Sequence, residues 1–421
     1  MHASSSCDRP SAPPTSAHDV GAVTDAGKLL VTRAVRGLAD GVVSVVLASY
    51  LTALGMSALE VGAIVTGTLL GSAALTLAVG LLGYRLSRRR ILLAAAALMT
   101  LTGIGFAGFT TFAPLMIVAV AGTLNPSSGD VSLFLPTEQA ALAETVGGPG
   151  RTMAFAWYSL AGSLAGAFGA LASGLPAAAA NRGGLTLLEA QRAVFVFYAA
   201  LAIAAAVIYA RLSPALEIHP ARRPTKPLAT SRPVVVRLAA LFSLDSFGGG
   251  FVVQSLLVLW LTRRFQLDAR TIAGVFFAAG TLSAFSQLVS PRVAARIGLV
   301  RTMVYTHLPS NLLLILAALA PSAALSVACL LGRMALSQMD VPARQAFVMA
   351  VVPPEERGAA ASVTNVPRSL AAGLAPLVTG VLLDRTTFGW PLVIGGTLKA
   401  IYDIALLVQF RAVRTGEPGV D

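Results

Sequence analysis

The sequence predicts an all-α membrane protein with twelve transmembrane helices arranged as two six-helix pseudo-repeats. Three observations predict it. Of 421 residues, 56% are hydrophobic and only 12% charged, about half the charged share of a soluble domain, and the mean hydropathy is +0.76. The apolar residues gather in runs of about 20, the length that crosses a bilayer. Lysine and arginine concentrate in alternate polar breaks between these runs. A water-soluble enzyme is excluded, because so few ionised groups cannot cover its surface.

Taken in order, residues 1–28 are rich in Ser, Pro and Ala with no basic start followed by an apolar core. They read as a disordered cytoplasmic tail rather than a cleaved signal peptide. The first six spans cover 29–51, 61–83, 91–110, 114–135, 153–175 and 193–212, which make an N-terminal half over 29–212. Each run is continuous, whereas barrel strands alternate over about 10 residues, so the spans are helices. Gly162, Gly166 and Gly169 put small residues on the fifth span, the usual mark of close helix packing. The linker 213–236 holds Pro214, Pro220, Pro224, Pro227 and Pro233 with a basic cluster, a proline density that forbids a long helix. Six further spans follow at 237–261, 271–290, 302–319, 323–341, 358–383 and 389–410. They make a C-terminal half over 237–410, and 411–421 is a second cytoplasmic tail.

Charge placement orients the spans. With the N-terminus cytoplasmic, 22 of the 31 Lys and Arg lie in inside segments and six outside, while Arg333, Arg368 and Lys399 lie within or at the edges of spans. An excess of basic residues marks the cytoplasmic side, so both termini are expected there. The net charge of +12 then needs no nucleic-acid partner.

The halves carry traces of duplication. The arginine-rich turn Arg85 to Arg90 follows the second span and Arg296 to Arg301 the eighth. Gln139-Ala140 precedes Arg151 by the same spacing at which Gln345-Ala346 precedes Arg357. Asp40 and Asp245 occupy matching positions in the first span of each half.

Several enzyme patterns fail their own context. Gly103 to Gly108 fits Gly-x-Gly-x-x-Gly but lies inside an apolar span with no strand before it. Gly27-Lys28 lacks the spacing and the hydroxyl of a phosphate loop. His2, His18, His219 and His307 include no pair at ligand spacing, and Cys7 and Cys329 suggest neither a metal site nor a disulfide framework. No enzyme activity, cofactor or metal is expected.

Six plus six helices, a basic central loop and an arginine-rich turn after the second span together resemble the major facilitator superfamily. That family's turn, Gly-x-x-x-Asp-Arg-x-Gly-Arg-Arg, is met by Gly80, Arg85, Arg88 and Arg89, with Tyr84 in place of the Asp and Ser87 in place of a Gly. The family's fourth helix carries an Arg four residues before a Gly; here Asn125 precedes Gly129, and Arg333 stands in the tenth span. The fifth span is glycine-rich without the Gly-Pro pair of many drug/proton antiporters. The resemblance implies halves that rock about a midplane site, proton coupling, and gating by Arg85, Arg88 and Arg89 with Asp130 or Glu138 replacing the missing acid.

Ionisable residues at membrane depth are costly and usually line a cavity or pair. Asp40 and Asp245 therefore read as proton-binding carboxylates or substrate counter-ions. The competing reading pairs Asp40 with Arg36 one helical turn earlier. Arg333 calls for a substrate anion or an acid such as Asp245. Asp340 and Asp130 sit at the cytoplasmic ends of the tenth and fourth spans as gating acids. Lys399 and Asp403 are spaced for a structural one-turn pair. Tyr50, Gln254, Gln287, Asn311 and Gln338 supply a polar cavity lining, Trp260 either joins it at the site matching Tyr50 or is an interface anchor, and Gly248 to Gly250 offer a hinge or close packing. The expectation is a monomeric, multi-pass plasma-membrane protein moving a small-molecule substrate with protons across the lipid bilayer, by efflux. Uptake of a metabolite and a non-transporting sensor are the alternatives.

Overall fold

The computed structural model describes residues 17–82, 87–126, 133–145, 151–213, 228, 230–353 and 356–411. Every regular element among them is an α-helix. The N-terminal half contains α1 (Ala17–Ala53), α2 (Ala58–Leu82), α3 (Arg88–Gly108), α4 (Phe112–Ala121), α5 (Leu135–Thr145), α6 (Arg151–Ala172), α7 (Leu175–Asn181) and α8 (Leu187–Ala210). The C-terminal half contains α9 (Arg232–Gly250), α10 (Gln254–Phe265), α11 (Ala269–Ile297), α12 (Leu299–Leu319), α13 (Ala323–Ser337), α14 (Asp340–Ala350), α15 (Arg357–Arg385) and α16 (Trp390–Phe410). Eleven described stretches are long and apolar enough to cross a membrane, and the shorter apolar α4 occupies the place of the fourth span.

Three expected boundaries move. The first helix starts at Ala17 instead of 29. Two turns in, the Asp25 carboxylate accepts from the Ser213 hydroxyl at 2.5 Å and pairs with Lys28 at 2.8 Å. Lys28 also donates to the Arg211 carbonyl just past α8 at 2.7 Å. The seventh span starts at Arg232 instead of 237, with Pro233 in its first turn, where a missing N–H costs nothing. The fourth span, expected over 114–135, leaves the helix at Ala121. Gly122 follows, and Pro126 biases Asn125 away from helical backbone.

The seventh span is also broken. Helix α9 ends on Gly248, Gly249 and Gly250, and α10 starts at Gln254. A Cβ on Gly250 would overlap the Ala372 carbonyl of α15, and one on Gly248 would lie 2.8 Å from Lys399 Cγ of α16. These glycines let neighbouring helices approach as well as ending α9. The two breaks meet, because Ser255 N–H donates to the Pro126 carbonyl at 3.3 Å. One broken helix from each half thus touches the other.

Within the N-terminal half α1 packs on α6, with Gly37 and Gly41 against Gly162 and Gly166. Across the halves, α2 packs on α15, α6 on α11 and α1 on α10. Named cross-half contacts lie toward the face away from the one where α1 begins and α16 ends; that side is called the distal face below. Gly280 meets Ala167 there, Gly62 meets Gly380, and Phe168 stacks obliquely on Phe277 with ring centroids 5.5 Å apart. At the outermost point Asp384 of α15 accepts the backbone N–H groups of Ala58 and Leu59 at 2.9 and 2.7 Å. It also lies 3.4 Å from Arg263 Nη1. By contrast α5 and α14, near the opposite face, pack on helices of their own half.

Candidate functional site

Asp245 is buried on α9, five residues before that helix ends. Four helices bring basic side chains to it. Lys399 Nζ of α16 lies 2.5 Å from Oδ1, Arg344 Nη1 of α14 lies 3.3 Å from Oδ2, and His307 Nε2 of α12 lies 3.8 Å from Oδ1. Arg368 of α15 adds its field and donates Nε–H to Ser246 Oγ at 2.7 Å. A lone carboxylate at this depth would cost several kcal/mol; here the basic groups of four helices offset that cost.

His307 bridges two acids. Its Nδ1 is 2.9 Å from Asp403 Oδ1, and the Asn311 amide donates to Asp403 Oδ2 at 2.8 Å. His307 thus stands between two carboxylates, with Nδ1 toward Asp403 and Nε2 toward Asp245. The expected one-turn pair of Lys399 with Asp403 is therefore corrected: Lys399 reaches Asp245, and Asp403 serves His307 and Asn311. Helix packing overrides sequence spacing here, because α12 and α9 lie against the face of α16 that holds both residues.

The tenth span is interrupted at Gln338 and Met339, and Ser290 Oγ of α11 donates to the freed Met339 carbonyl at 2.5 Å. Asp340 then opens α14 and pairs with Arg344 one turn on at 3.1 Å. The expected gating acid Asp340 is thus joined to the Asp245 cluster through Arg344. Arg333 on α13 is half-buried, and its contact is Met334 Sδ at 3.2 Å. Asp245 and Asp340 are its electrostatic neighbours.

The N-terminal half holds a second cluster with the charges exchanged. Arg36 of α1 and Glu138 of α5 form a buried ion pair, and Glu138 also accepts from the Tyr158, Tyr209 and Thr32 hydroxyls. Glu138 and Arg344 immediately precede the repeated Gln139 and Gln345. The equivalent loop helices thus carry an acid in one half and a base in the other, each matched by the opposite charge on the half's first span. Asp40, 8% exposed, hydrogen-bonds Asn125 in the broken fourth span, while Arg36 lies against Glu138 instead of acting only as its partner.

The remaining expected residues divide. Tyr50 is fully buried with its hydroxyl on the Phe106 carbonyl at 2.6 Å, so it belongs to the packing of the N-terminal half and not to a cavity wall. Asn311 is likewise fully buried and serves the charged cluster. Trp260 is 1% exposed with its indole N–H on the Thr387 carbonyl, which corrects its reading as an interface anchor. Gln254, Gln287 and Gln338 are partly exposed. Arg88 is buried in the first turn of α3 and Arg89 is exposed; Arg85 and Asp130 lie outside the described residues. A separate cavity of about 130 Å³ between the halves near the distal face is lined by Val45, Ser49, Gln191, Val258 and Thr262. It is smaller than the roughly 300 Å³ at which solute pockets begin.

Sequence comparison decides the family, since the pattern described as Major Facilitator Superfamily matches residues 29–376. The chain belongs to the Major Facilitator Superfamily. It is 26% identical over 412 residues to the uncharacterized membrane protein YJR124C of Saccharomyces cerevisiae, covering 90% of this chain and 92% of that one. Its fold is similar to the crystal structure of nucleoside transporter NupG, with a TM-score of 0.70 at 14% identity over 92% of this chain and 100% of that one. A bacterial homolog of the human lysosomal transporter Spinster, inward-facing and occupied, gives 0.69 at 15% identity over 93% and 97% of the two chains. The human organic anion transporter MFSD10 gives 0.63 at 18% identity over 94% and 100%. The protein is a multi-pass membrane transporter of the superfamily type.

Sequence reasoning missed His307, Arg344 and the roles of Lys399 and Glu138. Each carried a signal: His307 and Lys399 are polar residues inside spans, and Glu138 and Arg344 sit beside the repeated glutamines.

Proposed function

We propose that the protein exports a small solute by alternating access, driven by proton exchange at the Asp245 cluster. The observation that carries this reading is the set of basic side chains on four separate helices around one carboxylate beside a helix break. Proton exchange within the cluster would change which of these partners the carboxylate holds, and so alter the helix arrangement the cluster favours. The meeting of two broken helices supports a midplane pathway, the usual site in transporters with discontinuous helices. Asp40, hydrogen-bonded to Asn125 of the other break, is the second candidate for proton binding. The polar side chains of Gln254, Gln287 and Gln338 would meet the solute, and Arg88, Arg89 and Asp340 would act in gating.

Each half carries its own charged cluster, so a monomer suffices. Basic residues favour both termini in the cytoplasm of a plasma-membrane protein.

The test is gradient-driven flux in liposomes. Wild-type protein is expected to couple solute movement to an imposed pH gradient. The D245N variant is expected to lose that coupling while retaining solute exchange at equal pH. Wild-type coupling in D245N overturns the assignment. Cells producing the protein should tolerate amphipathic compounds and accumulate less of them, whereas greater accumulation would assign uptake.

A further inference from the structure

Among the described Lys, Arg and Asp side chains around the Asp245 cluster, formal charges do not balance. Arg333, Arg344, Arg368 and Lys399 provide four positive charges around α9, and Asp245, Asp340 and Asp403 provide three negative ones. Ion pairing allocates the acids unequally. Asp245 is held by Lys399 and Arg344, Asp340 by Arg344, and Asp403 by the His307 and Asn311 hydrogen bonds. Arg333 is left without a carboxylate within ion-pair distance among the described residues, and its buried Nε has no hydrogen-bond partner. It lies near the middle of the tenth span, where an uncompensated charge is expensive. Its electrostatic neighbours Asp245 and Asp340 place it toward the helix bundle and not toward lipid. A guanidinium so placed offers a planar fork of donors that matches an oxyanion in two hydrogen bonds.

We infer that the transported solute carries an oxyanion group, a carboxylate, phosphate or sulfonate, and that Arg333 binds it. This deepens the transport reading and rests on it. The positive excess of the cluster attracts the anion. Among the described residues of the C-terminal half, Arg333 is a cation with a buried, unpartnered N–H. Binding completes the neutralisation that Asp245 and Asp340 leave unfinished. Asp245 and the solute then compete for the same group of cations, which links occupancy of the site to the protonation of the cluster.

The experiment uses the purified full chain in lipid nanodiscs, with melting followed against benzoate, phenyl phosphate and benzenesulfonate. Benzamide and benzylamine serve as neutral and cationic counterparts. At least one oxyanion is expected to raise Tm in a saturable way. R333Q should weaken its half-saturation about tenfold or more, as the loss of a charged hydrogen bond does, and R333K should fall between. Two results overturn the inference: stabilisation by benzamide or benzylamine with none by the oxyanions, or an unchanged half-saturation in folded R333Q. R333K, which keeps the charge, guards against a folding defect in R333Q. Flux separates this inference from the reading beneath it. Gradient-driven flux of benzylamine with no oxyanion binding overturns the oxyanion site and keeps transport. Arg333-dependent oxyanion binding without flux of any probe overturns transport and keeps the site.

Discussion

At the residue scale, charge partners separate the two halves. Arg36 and Glu138 are 1% and 0% exposed, so removing either leaves the other charged and unpaired. E138A should therefore cost about 3–5 kcal/mol of stability, with R36M/E138M recovering part of it because an apolar pair replaces a buried ionic one at little cost. Thermal unfolding of the purified variants measures both, and an unchanged Tm in E138A would remove the pair from the stabilising set. Spacing along one helix made Lys399 and Asp403 look like partners, and Arg36 look like the partner of Asp40. Neither reading could include the opposing helix, and in a bundle interior the opposing helix supplies the nearest charge. Asp245 was legible because an acid in an apolar run stands out; its partners, scattered over α12, α14 and α16, were not.

At the element scale, the spans were readable from hydropathy, and their interruptions were only half visible. The glycines ending α9 and the Asn125-Pro126 step carried the signal, but an apolar run hides a break that a neighbouring helix satisfies through Ser255 and Pro126. Glycine on the α1 and α6 faces makes a sharper forecast. A Cβ on Gly41 would overlap the Gly166 carbonyl, whereas one on Gly166 would sit an ordinary 3.5 Å from the Gly37 carbonyl. G41A is expected to push the helices apart and cost about 1–3 kcal/mol, and G166A to cost less than about 0.5 kcal/mol. Detergent stability of the two variants decides this; equal losses would show that the backbones do not approach as closely as described.

At the scale of the whole molecule, the cross-half contacts gather toward the distal face, and Asp384 closes it by capping the start of α2 and reaching Arg263. A carboxylate at a helix N-terminus gains from both hydrogen bonds and the helix dipole, together about 0.5–2 kcal/mol. Losing 1–2 kcal/mol from one state changes a population ratio by roughly 5- to 30-fold. D384A should therefore open the distal face more often. Cysteines placed at Leu59 and Arg385 would report this as a lower cross-linking yield in D384A than in the parent; an equal yield would mean that Asp384 does not hold the face closed.

The sequence by itself determined that the chain is an all-α membrane protein of two similar halves. It also marked which spans carry charge, because hydropathy and the cost of burying ions are properties of local composition. Only the tertiary structure decided how those charges are shared: Asp245 to Lys399, Arg344 and His307, Glu138 to Arg36, and Arg333 to no described acid. Coulomb and hydrogen-bond energies depend on distances across the bundle, and those distances exist only once the helices have packed.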